Sequence, residues 1–148
     1  MCIRDRHDTL DSLANYLGKL IHELLGESGI RCRLDFPLNL PAWPVTAEVR
    51  HNLFLAFKEA LHNVLKHSGA SEVQISFALE PAAFSVSITD NGRGFDPAAK
   101  SAKPYPHRNG LVNMLQRLQE IGGRCEIQSE CGHGTRVDFF LPVKVVAR

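Results

Sequence analysis

Glu59, Asn63, Lys66 and His67 stand at i, i+4, i+7 and i+8, the spacing that puts side chains on one face of an α-helix. Asparagine is a poor choice for the middle of a helix, so its presence there asks for a reason. A carboxylate one turn before a carboxamide, followed by a lysine, would hold a hydrated Mg²⁺ beside phosphates, because Mg²⁺ takes oxygen ligands and keeps several of its waters. Taken alone, the same four residues also describe an ordinary solvated helix face.

A second group, Asp90-Asn91-Gly92-Arg93-Gly94-Phe95, closes an alternating stretch. Asn-Gly is a strong hairpin signal, yet a proline-containing segment follows it where a hairpin needs a partner strand. As a ligand site these residues suit a nucleotide base. Asp90 would accept from the exocyclic amine of adenine, and Gly92 and Gly94, lacking Cβ, would let the backbone come close to the ring. Asn109-Gly110-Leu111 opens a helix, whose free N–H groups and positive dipole end attract phosphate, a property every helix start shares. Gly132-His133-Gly134-Thr135 reads first as a turn into a last strand; the alternative is a Thr135 hydroxyl that reaches the adenine region.

The elements that must hold these groups follow from periodicity. Asp8, with Asp11 three residues on, is expected to cap a helix whose Leu10, Leu13, Leu17, Leu20, Ile21, Leu24 and Leu25 recur at helical spacing. Gly26 and Gly29 end it. Residues 30–36 read as a strand, and Pro37, Pro41 and Pro44 make the next stretch irregular. A long helix over residues 47–67 presents Val49, Leu53, Phe57, Ala60, Leu61 and Val64 to a core, with Ser68 and Gly69 closing it. Strands are expected over 72–79 and 84–90, joined by a hairpin at Pro81; in the second, Phe84, Val86 and Ile88 alternate with Ser85, Ser87 and Thr89. Residues 95–109 read as a long loop, a feature that is usually functional in a compact domain. A helix over 110–121, stopped by Gly122 and Gly123, and two strands over 124–129 and 135–143 complete the chain. This order predicts an α+β two-layer sandwich, a mostly antiparallel sheet with helices on one face.

The bulk composition agrees with one globular domain. The chain has 148 residues, 44% hydrophobic and 22% charged, with a formal net charge of +1. That balance gives no footprint for nucleic acid, and no apolar run is long enough to span a bilayer. Residues 1–6 fit nothing that follows and read as a non-native leader, leaving 7–148 as the domain. The four cysteines, Cys2, Cys32, Cys125 and Cys131, form no CxxC pair and are expected to be reduced thiols.

Order and spacing together are more telling than any one group. Residues 59–67, 90–95, 109–114 and 132–135 resemble the N, G1, G2 and terminal Gly-Thr boxes of the histidine-kinase-like ATPases, the superfamily that also holds gyrase, the ninety-kilodalton heat-shock chaperone and MutL. The spelling EAxxNxxKH is similar to the sensor kinases represented by the nitrate sensor and the membrane-fluidity thermosensor. The resemblance covers nearly the whole chain from His7. It implies the two-layer Bergerat fold, ATP and Mg²⁺ as cofactors, and a cytoplasmic domain that can belong to an inner-membrane sensor yet makes no membrane contact itself. Asn63 matches the Mg²⁺ ligand and Glu59 the acidic catalytic position beside it. Lys66 and His67 match positions near the phosphates. Asp90 matches the adenine-reading aspartate, with Gly92 and Gly94 beside it. Gly110, followed by Leu111, matches the glycine after the ATP lid, and Thr135 the threonine that supports the adenine pocket. Two departures stand out. His62 replaces a small polar residue, and Arg108 and Asn113 replace glycines of the G2 box, where Arg108 or Lys103 would bring charge to the triphosphate.

The implied function is phosphotransfer: Mg-ATP is bound and its γ-phosphate presented to a histidine on a helical hairpin of the parent protein, with a response regulator downstream. None of the seven histidines reads as that acceptor. His7-Asp8 has the expected spelling but stands at the edge of the leader, His22 and His51 read as surface or packing positions, His62 and His67 lie at the pocket, and His107 and His133 lie in loops. Three other readings share these motifs: a stand-alone ATPase of the gyrase or MutL type, an anti-sigma-type serine kinase, and a degenerate nucleotide-binding module without catalysis.

Overall fold

Leu10, Leu13, Leu17, Leu20, Ile21 and Leu25 recur every three or four residues, and all six are buried. They lie on α1, Leu10–Leu25. The computed structural model describes residues 9–41, 43–93 and 106–142. The expected Asp8 cap lies outside the described residues. The N-cap is Thr9, whose Oγ1 accepts from the Ser12 amide at 3.4 Å.

After β1, Arg31–Asp35, the chain enters α2, Ala47–Asn63, capped by Thr46 through a 3.1 Å bond from the Val49 amide. Leu53, Ala56, Phe57, Ala60 and Leu61 form its buried face. The α-helix ends four residues earlier than expected. Residues 64–68 continue as a π-helical turn, closed by Gly69 with a left-handed φ of 64°. Then come β2, Glu72–Glu80, and β3, Ala83–Asp90, a direct hairpin. The last helix, α3, spans Pro106–Glu120. It starts four residues before the expected Gly110, because proline fits the first helical position, where its missing N–H is not needed. Strands β4, Arg124–Glu130, and β5, Gly134–Pro142, close the domain.

The sheet has five strands in the order β1-β2-β3-β5-β4. β1 and β2 are parallel, with α2 in their crossover, and every other neighbour pair is antiparallel. Val73, Ile75 and Phe77 of β2, Phe84, Val86 and Ile88 of β3, and Val137, Phe139 and Leu141 of β5 join the helices in one core. The expected α+β sandwich is the observed fold. α1 packs on α2 and α2 on α3. Asp138 is buried on the opposite face of the sheet, where it accepts from Ser87 Oγ and from Arg136 Nε at 3.0 Å.

Candidate nucleotide-binding site

Asp90 is the last residue of β3 and continues the inward series of Phe84, Val86 and Ile88. Strand alternation therefore carries a carboxylate into the helix-facing side of the sheet. It is 6% exposed. Burial pushes its carboxyl above the ordinary aspartate range, opposed by hydrogen bonds from the backbone amides of Gly92 and Thr135. The Gly92 amide donates to Asp90 Oδ1 at 2.8 Å.

The expected Asn-Gly ambiguity resolves at Asn91. Its Oδ1 accepts from the amides of Ser71 and Glu72, both at 3.0 Å, and its Nδ2 donates to Ser71 Oγ at 3.0 Å. Asn91 thus ties the end of β3 to the chain entering β2, so the pair forms no hairpin. Gly94 lies outside the described residues.

β5 brings the terminal motif to the same place. Thr135 is the register partner of Asp90, and Ser129 of β4 is the register partner of Thr135. One row across three strands then reads Asp90, Thr135, Ser129. Gly134 makes the approach possible: its φ is 87°, and a Cβ there would stand 2.1 Å from the Asp90 carbonyl oxygen. The Gly132 amide also donates to the Arg93 carbonyl, which pins the β4–β5 turn to the segment after Asp90. Asp90, Ser129, Gly134 and Thr135 line a cavity of 540 Å³, with Ile127 and His133 on its wall.

The helical half is arranged differently. Glu59 and Asn63, one α-turn apart, are both half-buried at the end of α2. A π turn closes its hydrogen bond over five residues where an α turn uses four. The spacing that would place Lys66 and His67 on the same stripe therefore breaks at Asn63. Lys66 is exposed in the π turn, and His67 belongs to its backbone. Arg108 falls in the first turn of α3, while Gly110 and Leu111 lie beyond it in the helix. The amides that have no partner within the helix belong to the turn that contains Arg108.

A Glu-Asn pair offers oxygen donors, which suits Mg²⁺. Among the described residues no group of three or more His, Cys, Asp or Glu converges. A site of this composition fits a metal that takes most of its ligands from water and substrate phosphates.

Two contributors carried little sequence signal. Asn52 is buried on α2, and its Nδ2 donates to the Arg117 carbonyl at 3.5 Å and to Glu120 Oε1 at 3.4 Å. At the end of α3 the Ile121 amide bonds to Leu118, so Asn52 takes up the Arg117 carbonyl and ties α3 to α2. Ser129 belongs to none of the sequence motifs and shares one face of β4 with Cys125 and Ile127. Among the described residues Cys32, Cys125 and Cys131 form no disulfide. Burial, then Asp138 and Glu126, push the Cys125 thiol up to about 12.

Residues 48–145 match the family of histidine kinase-, DNA gyrase B- and HSP90-like ATPases, and the chain belongs to that family. It is 32% identical over 121 residues to the sensor histidine kinase LiaS of Bacillus subtilis, across 82% of this chain and 32% of that protein. It is also 32% identical over 136 residues to the signal transduction histidine-protein kinase/phosphatase UhpB of Salmonella typhimurium, across 91% of this chain and 25% of that protein. The chain thus spans about a third or less of the length of these curated relatives. Among solved structures, the histidine kinase domain of the Erythrobacter litoralis blue-light activated histidine kinase superposes with a TM-score of 0.70 at 20% identity, over 94% of this chain and 63% of that one. The Acinetobacter baumannii histidine kinase AdeS gives 0.69 at 15% identity, over 93% and 66%. These two likenesses concern the fold.

Proposed function

We propose that this domain binds Mg-ATP and presents the γ-phosphate to a histidine on a helical hairpin of a longer sensor kinase, which then passes it to a response regulator. The observation that carries the reading is the row of Asp90 and Thr135 lining the cavity, built from two motifs 45 residues apart in the chain and joined by strand register. In this reading Asp90 accepts from the adenine amine, with Gly92 holding its carboxylate and Gly94 giving the base room. Thr135 supports the same edge of the ring. Asn63 ligates Mg²⁺, which would neutralise charge on the phosphates, and Glu59 one turn earlier adds a second oxygen donor. Lys66, His67 and Arg108 supply positive charge and hydrogen-bond donors toward the triphosphate, and Gly110 and Leu111 hold the end of the segment that covers it. The domain acts on the cytoplasmic side of its parent.

Phosphotransfer needs the acceptor nitrogen in line with the γ-phosphorus at near-contact distance. His62 lies on the same helix as Asn63 and is held beside the site, which is not an in-line position. The test is incubation with γ-labelled ATP, with and without the helical hairpin of a close relative, followed by detection of acid-labile phosphate on each chain. Label is expected on the hairpin and not on this chain. Strong acid-labile labelling of this chain alone would overturn the assignment of the acceptor to another segment.

A further inference from the structure

We propose that Ser129 is a positioning residue that fixes the polarity of the Thr135 hydroxyl, and so makes the pocket select a purine with an amine rather than an oxygen at its 6-position. The proposal rests on the nucleotide reading above and adds a residue and a specificity to it.

A serine hydroxyl has one hydrogen to give. Ser129 Oγ donates that hydrogen to the Gly134 carbonyl at 3.1 Å. In the 2.8 Å contact between Ser129 Oγ and Thr135 Oγ1, the donor must then be Thr135. Its hydrogen is consumed within the protein, and its remaining lone pairs make it an acceptor only. Beside it stands Asp90, its register partner, whose carboxylate accepts from the Gly92 amide and has further acceptor capacity. Ser129, Thr135 and Asp90 all line the cavity. Two acceptors in one row pair with an amine. A carbonyl oxygen in the same position would face them with no hydrogen between, and a buried acceptor left unpaired is costly.

The backbone supports the device. The Gly134 carbonyl that takes the Ser129 hydrogen belongs to the glycine whose left-handed φ of 87° starts β5. The hydroxyl polarity is therefore set by the same turn that brings Thr135 to Asp90.

The experiment is calorimetric titration of this chain with ATP and with inosine triphosphate in the presence of Mg²⁺. Unsubstituted protein is expected to prefer ATP. Ser129→Ala frees the Thr135 hydrogen, and the preference is expected to narrow about five- to tenfold, mainly through tighter binding of the inosine nucleotide. Ser129→Thr, which restores a hydroxyl, should keep most of the preference. Thr135→Val removes the acceptor and should weaken ATP while inosine triphosphate, relieved of one facing acceptor, binds at least as tightly as before; it decides the question alone if Ser129→Ala does not fold. An unchanged preference in Ser129→Ala, or equal losses for both nucleotides in Thr135→Val, would overturn the role of Ser129 while leaving ATP binding intact. Absence of ATP binding by the unsubstituted protein would overturn the nucleotide reading itself, and this proposal with it.

Discussion

The two ends of the candidate site are made of different material. At the strand end, Asp90, Thr135 and Ser129 come from three neighbouring strands and stand in one row because β3, β5 and β4 pair without interruption up to that point. At the helix end, Glu59 and Asn63 sit in the last two turns of α2, just before the winding widens into the π turn of residues 64–68. Strand register locates a side chain to within a fraction of a residue, because a one-residue slip would turn the whole apolar face outward. A helix end has no such lock, and a single wider turn re-aims everything after it. The strand end is set by the pairing of three strands, while the backbone of Lys66 and His67 follows the winding of the π turn, whose Val64 is buried in the core.

The sharpest way to break the strand end is Gly134→Ala. The new Cβ would collide with the Asp90 carbonyl, and the residue would hold a left-handed φ. A loss of about 2–5 kcal/mol in unfolding free energy is expected, measured by urea denaturation, together with loss of ATP binding. Near-native stability would mean that β5 does not need its close approach to β3.

Asp90→Asn tests the chemistry of the same end without disturbing its backbone. The amide keeps an oxygen for the Gly92 hydrogen bond but has fewer lone pairs for the adenine amine. ATP affinity should fall by about 1–3 kcal/mol with the circular dichroism spectrum unchanged. An unaltered dissociation constant would remove Asp90 from the base site.

Asn63→Ala asks whether the helix end is independent of the strand end. Its effect should appear as loss of the Mg²⁺-dependent gain in ATP affinity, about 1 kcal/mol for one ligating oxygen group, with metal-free binding nearly unchanged. Equal losses with and without Mg²⁺ would make Asn63 a structural residue and erase the distinction between the two ends.

The smallest expected effect is a pH dependence carried by Asp90. Its folded-state pKa is raised by burial, so between the unfolded and folded values the native state holds the proton that the unfolded chain has lost. Stability from this group therefore falls as pH rises through that window and is restored below it. Asp90→Asn should be more stable than the unsubstituted chain at about pH 7, with the gap closing toward about pH 4. A gap that widens on acidification would contradict the sign of the burial effect.

Much of this was legible in the residues alone. The apolar stripes of α1 and α2 and the alternation of β3 identified elements whose buried faces largely match, because the requirement to bury one face leaves its period in the sequence; Leu24 and Val49 are only partly buried, while Ala14, Ala56 and Ser85 are buried without having been expected. The four motifs identified the family for a related reason: glycines at tight approaches and polar groups at strand ends tolerate few replacements. What the linear pattern could not decide is where neighbouring elements correct one another. The π turn after Asn63 leaves no periodic mark. The start of α3 at Pro106 was hidden because proline signals both a loop and a first helical residue. Asn52 looked like one polar residue on a helix until α3 presented an unpaired carbonyl to it. Ser129 is an ordinary serine on a strand, and it acquires a role only through the register that puts its hydroxyl 2.8 Å from that of Thr135. Burial period is a property of one segment and is written into it; hydrogen-bond partnership across elements is a property of two segments, and it exists only once the sheet and helices have packed.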